Sequence, residues 1–301
     1  GLTLATAAAI RARPSHVDAI QLPADRGFAN DPLLLSATAV QTQLTSDPGM
    51  QVLDASRRAD FLGSHIPGAR HVWWQDTMEL NAHWYGQVLK SDDDQGNQGR
   101  RIQFLEHLGI ESSRPVVVYD RTDGQAAARV CWFLTFLGLQ ASVLDGGFRA
   151  WIGTGGATRN GLQSVTKSSA PQVRPQEGFY LLSETAAARL VTAPGQLIDL
   201  RTASERMQGA GAKKHVPGAI WLDRSTLLDE DQVLRDRSGL DQLWSAAAID
   251  LGQSIFLLGP TAITCSTAWL ALRLCGAHDV ITVDGGWPEW VGVGASDLEP
   301  I

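Results

Sequence analysis

The sequence predicts an α/β protein built from two copies of one parallel-sheet domain. Three observations carry this. A motif set recurs in the same order in both halves. Short continuous apolar runs alternate with helix-patterned segments. The length, 301 residues, suits about two domains.

The repeat comes first. One copy reads Gln51-Val52-Leu53-Asp54-Ala55-Ser56-Arg57, then His65-Ile66-Pro67-Gly68-Ala69. The other reads Gln196-Leu197-Ile198-Asp199-Leu200-Arg201, then His215-Val216-Pro217-Gly218-Ala219-Ile220. Later come Val143-Leu144-Asp145-Gly146-Gly147-Phe148 with Trp151, and Thr282-Val283-Asp284-Gly285-Gly286-Trp287 with Trp290. These divide the chain into an N-terminal extension (1–32), a first domain (33–155), a linker (156–178) and a second domain (179–301).

Within copy one, Gln51–Asp54, Val116–Tyr119 and Ser142–Leu144 read as strands. Ala126–Leu137 has helical apolar spacing at Val130, Phe133, Leu134 and Leu137, and stops near Gly138. Continuous apolar strands separated by helices imply a parallel sheet covered on both faces. In the His-x-Pro-Gly-Ala turn, proline fixes φ and glycine allows the turn. Asp-Gly-Gly makes a second tight turn, after which the aromatic residue packs back as a lid. Gly153 to Gly178, rich in Gly, Ser, Thr, Pro and Gln, reads as the linker. Asp92-Asp93-Asp94 to Gly99 reads as a solvated polar loop, with no clustered His to suggest a metal site.

Composition excludes several classes. No run of about 18 apolar residues is present, so no membrane-spanning segment is expected. A net charge of −7 argues against nucleic acid as the main partner. The three cysteines, Cys131, Cys265 and Cys275, have no CxxC spacing and form neither a disulfide framework nor a zinc site. All three sit in apolar helical stretches, where free Cys acts as a small hydrophobe. Gly1 to Pro14 carries Arg11, Arg13 and five Ala, with no acid before Asp18. That composition is similar to the tail of an organelle-targeting segment, or to a disordered arm. A mitochondrial matrix location is the expectation, with the cytoplasm as the alternative.

Together the paired Asp…Arg, His-x-Pro-Gly-Ala and Asp-Gly-Gly-aromatic motifs resemble the tandem rhodanese family, which includes thiosulfate and 3-mercaptopyruvate sulfurtransferases. The resemblance covers roughly residues 33 to 295. It implies two rhodanese-like domains, each a central parallel sheet flanked by helices. It also implies a second-copy loop that holds a catalytic cysteine at a helix N-terminus, where backbone N–H groups favour the thiolate. In the family that cysteine takes sulfur from a donor as a persulfide and hands it to an acceptor.

Counting back without gaps from Asp284-Gly285-Gly286-Trp287 puts the loop at Gly259-Pro260-Thr261-Ala262-Ile263-Thr264. Gly259 falls at the nucleophile position, so the resemblance implies no catalytic residue there. Pro260 removes an N–H from the cradle. Thr264 matches the Thr that often closes the sulfurtransferase loop, and Thr261 sits where a residue would help select the donor. Cys265, the fallback thiol, is expected on the following helix, a turn or more from the cradle centre. Arg201 either binds an anion with Thr261 or braces Asp199 or Glu205, the latter favoured. Tyr119-Asp120 fits the family's non-catalytic first copy. His65 and His215 read as turn residues, not general bases. The loop lacks the Cys and Arg of the related Cys-x5-Arg phosphatases, and no cofactor or metal is expected.

Three functions stay open. The favoured one is a catalytically inactive accessory subunit of a larger, possibly mitochondrial, multi-subunit protein complex. Some of the ten tryptophans, such as Trp73-Trp74 and Trp84-Tyr85, offer it anchoring surfaces unless they pack in the core. The second is an active sulfurtransferase using Cys265. The third is a small-anion or persulfide-sensing module on Arg201 and Thr261.

Overall fold

The computed structural model describes residues 17–28, 31–47, 49–79, 83–84, 87–88, 94–162, 171–209, 211–292, 294 and 299–300. Copy one contains β1 (Leu34–Leu35), α1 (Ala37–Ser46), β2 (Gln51–Asp54), α2 (Arg58–Gly63), β3 (Arg70–His71) and α3 (Asp76–Glu79). It continues through a hairpin, β4 (His83–Trp84) and β5 (Gln87–Val88), into α4 (Asp94–His107). Then follow β6 (Val116–Tyr119), α5 (Gln125–Phe136), β7 (Ala141–Leu144) and α6 (Gly147–Gly153). Copy two repeats the plan with β8 (Tyr180–Leu182), α7 (Ser183–Thr192), β9 (Gln196–Asp199), α8 (Ala203–Arg206), β10 (Lys214–His215) and β11 (Ile220–Trp221). It closes with α9 (Arg237–Ala246), β12 (Ile255–Leu258), α10 (Ser266–Leu274), β13 (Val280–Asp284), α11 (Gly286–Gly292) and β14 (Glu299–Pro300).

Two five-stranded parallel sheets result, ordered β1-β7-β6-β2-β3 and β8-β13-β12-β9-β11. Their strand orders match one for one, as the internal repeat requires. The central strands β2, β6, β7, β12 and β13 are buried along their whole length, which is why they read as continuous apolar runs.

The two copies share one core. The cluster beneath the facing helices α5 and α10 holds Val130, Phe133 and Leu134 from one copy with Trp269, Leu270 and Leu272 from the other. Aromatics knit it: Trp132 meets Phe136 at 5.8 Å and Phe179 at 5.9 Å, and Phe179 meets Trp269 at 6.0 Å. A separate core lies on the outer face of each sheet.

One expectation is corrected, the polar loop. Asp94 to Gly99 is the start of α4, not a loop, while Asp92 and Asp93 lie outside the described residues. The linker is packed where it is described: Arg159 bridges His65, Val173 is buried, and the Arg174 and Gln176 N–H groups donate to Leu137 and Phe136 carbonyls. Polar composition marked a segment that leaves the sheets, and backbone hydrogen bonds hold it down nonetheless. Tryptophan serves mainly as core: Trp132, Trp151, Trp244, Trp269, Trp287 and Trp290 are buried, and Trp74 packs against the shared cluster. The Trp84 side chain and Tyr85 lie outside the described residues.

The extension ties the copies together. Ile20 N–H donates to Arg149 O (3.2 Å), the Arg26 guanidinium pairs with Asp145 and donates to Leu234 O, and Arg26 O accepts from Arg237 N–H (2.9 Å). Among the described residues no helix is long and apolar enough to cross a membrane.

Candidate functional site

The loop after β12 and its counterpart after β6 occupy one place in the two copies. In copy one, Tyr119 O accepts from Ala55 N–H and Asp120 O accepts from Phe148 N–H, both 2.8 Å. In copy two, Leu258 O accepts from Leu200 N–H and Gly259 O accepts from Trp287 N–H, both 2.8 Å. Gly259 is therefore the backbone equivalent of Asp120. The second glycine of each Asp-Gly-Gly turn is required here. Gly147 and Gly286 have φ of +57° and +61°, and a Cβ on them would lie 2.4 Å from Asp120 O and 2.8 Å from Gly259 O.

The interiors of the two loops differ. Asp120 fills its own cradle: Oδ1 accepts from Thr122 N–H (3.0 Å) and Gly124 N–H (3.2 Å), and Oδ2 from Ala127 N–H (3.0 Å). Burial pushes its pKa up to about 6, with these N–H groups opposing. In copy two the loop tightens into a 3₁₀ turn, Ala262–Cys265. The space into which a side chain at 259 would project is already taken. A Cβ there would lie 2.4 Å from Thr264 Oγ1, 2.9 Å from Cys265 Sγ and 3.1 Å from Thr261 O. Thr264 Oγ1 donates to Thr261 O at 2.6 Å, satisfying that carbonyl from inside the loop.

Cys265 does not project from the helix away from the cradle, as the sequence led us to expect. The 3₁₀ turn draws it beneath Gly259, with the thiol donating to Leu257 O (3.6 Å) and Thr261 O (3.7 Å). It is fully buried, and burial pushes its pKa up to about 12 against the opposing pull of Gly259 N–H, Arg224 and Arg129. Cys131 is buried likewise, its pKa pushed up to about 12. Cys275 is buried and its pKa raised by burial.

Arg201 sits beside the loop with Nε and Nη2 engaged and its buried Nη1 without a hydrogen-bond partner. Its Nε and Nη2 pair with Asp199 Oδ1 and Oδ2 at 3.0 and 2.7 Å, and Nη2 also donates to Lys214 O at 2.9 Å. The guanidinium lies 3.3 Å above the Trp287 ring, and the residue is 1% exposed. Thr261 is half-buried at the mouth of the 3₁₀ turn. His65 is stacked on Phe61 with Nδ1 at Phe61 O, and His215 Nδ1 lies at Glu299 O, so both serve their turns.

Two arginines escaped the sequence reading. Arg129, on α5 of copy one, is buried with Nε donating to Thr77 Oγ1 (3.1 Å) and its guanidinium 4.4 Å from the Trp132 ring. Burial lowers its pKa to about 10, opposed by the charges of Asp284 and Cys265 in copy two. A lone cation inside an apolar helix was the available signal. Arg121 stacks 3.8 Å from the Phe148 ring, as Arg201 does on Trp287. The copies thus put a guanidinium on the lid aromatic from different points in the chain, a substitution that motif spacing does not reveal. Among the described residues no group of three or more His, Cys, Asp or Glu is placed to hold a metal ion.

Two parallel sheets in tandem, each ending in a strand–loop–helix cradle, define a sulfurtransferase-type architecture. The rhodanese-like domain model matches residues 36–154 and 183–292, and the chain belongs to the rhodanese family. It is 27% identical over 263 residues to a thiosulfate sulfurtransferase of Gallus gallus, covering 80% of this chain and 86% of the relative. A 3-mercaptopyruvate sulfurtransferase of Mus musculus is 26% identical over 275 residues, covering 84% and 89%. Among solved structures, SseA of Escherichia coli, described as having the rhodanese fold, aligns with a TM-score of 0.67 at 20% identity, covering 84% of this chain and 98% of that one.

Proposed function

We propose that this chain is a tandem rhodanese that does not transfer sulfur and acts as an accessory subunit of a larger protein assembly. One observation carries the first half. The position equivalent to Asp120 holds glycine in copy two, and Thr264 Oγ1 and Cys265 Sγ crowd the space a reactive side chain would need. A persulfide needs a thiolate that a donor can reach. The loop from Gly259 to Thr264 contains no thiol, and Cys265 is sealed with its pKa near 12. These facts disfavour the Cys265 enzyme. Arg201, held by Asp199 and covered by Trp287, favours bracing over anion capture. The accessory reading is supported by Trp221 and Met207, 45% and 52% exposed, the former on the edge strand β11.

The test is thiocyanate formation from cyanide with thiosulfate or 3-mercaptopyruvate, alongside intact mass after donor treatment. The expected result is no turnover above background and no added sulfur on any cysteine. Turnover that disappears in Cys265→Ser would establish the enzyme instead. For the accessory role, native mass measurement of the chain isolated from its own cells should show stoichiometric partners lost in Trp221→Ala. A strictly monomeric chain would overturn that half alone.

A further inference from the structure

We infer that the edge of the copy-two sheet is a docking strip for an extended acidic peptide, a partner segment that sets Asp or Glu beside an apolar side chain. The inference rests on the accessory reading and adds the chemistry of the partner. The strip runs along β11 and the turn between α8 and β10. β11 is the end strand in the order β8-β13-β12-β9-β11. Leu222 N–H donates to Asp199 O (3.0 Å), so the backbone of the alternate residues Ile220 and Leu222 faces β9. The N–H and C=O of Trp221 between them point outward, to the side where no strand of the sheet lies. An edge of this kind takes an extended peptide by main-chain hydrogen bonds.

The side chains along this edge put apolar surface and positive charge together. Trp221 is 45% exposed, yet its indole N–H is fixed on Arg201 O (2.8 Å) and the Arg206 guanidinium lies 4.7 Å from its ring. The ring is thus a held platform for an apolar partner group. Met207, which follows Arg206, is 52% exposed. Lys213 N–H donates to Arg206 O (2.8 Å), which folds the turn back and sets Lys213 and Lys214 beside α8. Lys213 takes φ +59°, a left-handed conformation that a non-glycine residue keeps where its surroundings impose it. Lys214 O is pinned by Arg201 Nη2 at 2.9 Å, and both lysines are exposed.

The nearby acids have other partners. Asp199 pairs with Arg201 at 2.7 Å and lies 3.5 Å from Arg206 Nε. Glu205 pairs with Arg224 at 2.8 Å, and Asp223 accepts from the N–H groups of Ala203 and Ser225. Glu299, on β14, lies 3.7 Å from His215. Among the described residues Lys213 and Lys214 form no ion pair. On a chain of net charge −7 this strip is a local basic surface, and it favours carboxylates in a partner. Other occupants fit less well. A second copy paired edge to edge about a two-fold axis would set lysines against lysines. A nucleic acid would meet the acidic remainder of the chain and make no use of the strand edge or Met207.

The experiment screens the full chain against an array of ten-residue peptides and measures the best binder by fluorescence anisotropy. Binders should place Asp or Glu within two residues of Leu, Met, Phe or Trp. Affinity should fall about tenfold or more in Lys213→Glu with Lys214→Glu, and likewise in Trp221→Ala. It should also fall with added salt. The lysine double variant should keep the wild-type Tm, because neither lysine forms an ion pair, so its loss of affinity reads docking and not folding. No binder, binders without acidic enrichment, unchanged affinity in the lysine double variant, or tighter binding of a single-stranded oligonucleotide would each overturn the proposal. The accessory reading fails separately. A cellular partner lost in Trp221→Ala but kept in the lysine double variant would overturn the acidic peptide and leave the accessory role standing. A chain that is monomeric in its own cells, yet binds acidic peptides through Lys213 and Lys214, would support the strip and overturn the accessory role.

Discussion

The loops after β6 and β12 start from the same backbone and are filled in opposite ways. Copy one brings an acidic side chain and wraps three N–H groups around it. Copy two brings no side chain at 259 and closes the gap with a downstream hydroxyl and a thiol. A cradle of converging N–H groups is costly to leave empty, because each buried unpaired donor costs about 1–3 kcal/mol. One copy supplies an internal anion. The other reduces its donors with Pro260 and turns Thr264 inward. The two loops meet the same problem with different side chains.

The largest effect expected comes from emptying the copy-one cradle. Asp120→Ala removes the acceptor for three N–H groups, that of Ala127 buried, and should cost about 2–4 kcal/mol at pH 4–5 by urea denaturation. The cost should depend on pH. The carboxyl's folded pKa, about 6, lies above its unfolded value, so the folded state holds the proton more tightly. Its contribution is fully present below the unfolded pKa of about 3.9 and is lost as pH rises through about 6. The stability difference between the wild type and Asp120→Ala should therefore shrink by up to about 3 kcal/mol from pH 4 to pH 7.5. Asp145, also raised by burial, is present in both proteins and cancels. A difference that is flat with pH would show that Asp120 titrates normally and would break the contrast between the loops.

Next is the attempt to refill copy two. Gly259→Cys places a Cβ within 2.4 Å of Thr264 Oγ1 and 2.9 Å of Cys265 Sγ, so it should destabilise by about 1–3 kcal/mol through overpacking. It should also fail to produce thiocyanate, since the added thiol displaces the loop's own closure. Gly259→Cys with Cys265→Ala should recover part of the stability. Full sulfur transfer by the single variant would mean the cradle had remained open.

How much of this was legible in the sequence depends on distance along the chain. The two helix-flanked parallel sheets followed from the repeat, because apolar runs and Pro-Gly or Gly-Gly turns are local signals. The pairing of Gly259 with the Asp-Gly-Gly turn, through Trp287 N–H, follows the gap-free count from Asp284. Relations distant along the chain were not legible. Arg129 buried between Thr77 and Trp132, and Arg121 taking in copy one the stacking role of Arg201, arise from tertiary packing of residues that share no spacing rule. The inward turn of Cys265 was missed for a different reason. An α-helix was assumed from residue 265 onward, whereas the 3₁₀ turn Ala262–Cys265 rotates the thiol under the loop.

The smallest effect expected is the most diagnostic of how copy two is closed. Thr264→Ala removes one hydroxyl donation to Thr261 O and should cost about 1 kcal/mol. It also vacates the atom nearest to a Cβ at 259. Gly259→Ala should accordingly be destabilising in the wild type and less so in the Thr264→Ala background, where the 2.9 Å approach to Cys265 Sγ remains. In a double-mutant cycle the two changes should couple by about 0.5–3 kcal/mol in the stabilising direction, as contacting residues do. The matching pair in copy one, Asp120→Ala with Gln125→Ala, should be additive within about 0.5 kcal/mol, because among the described contacts Gln125 gives the Asp120 carboxylate no hydrogen bond. Coupling in copy two without coupling in copy one would mean that the residue after the turn closes the loop only where the side chain at its head is missing. Equal coupling in both would mean that the two loops are packed alike and that the glycine is incidental.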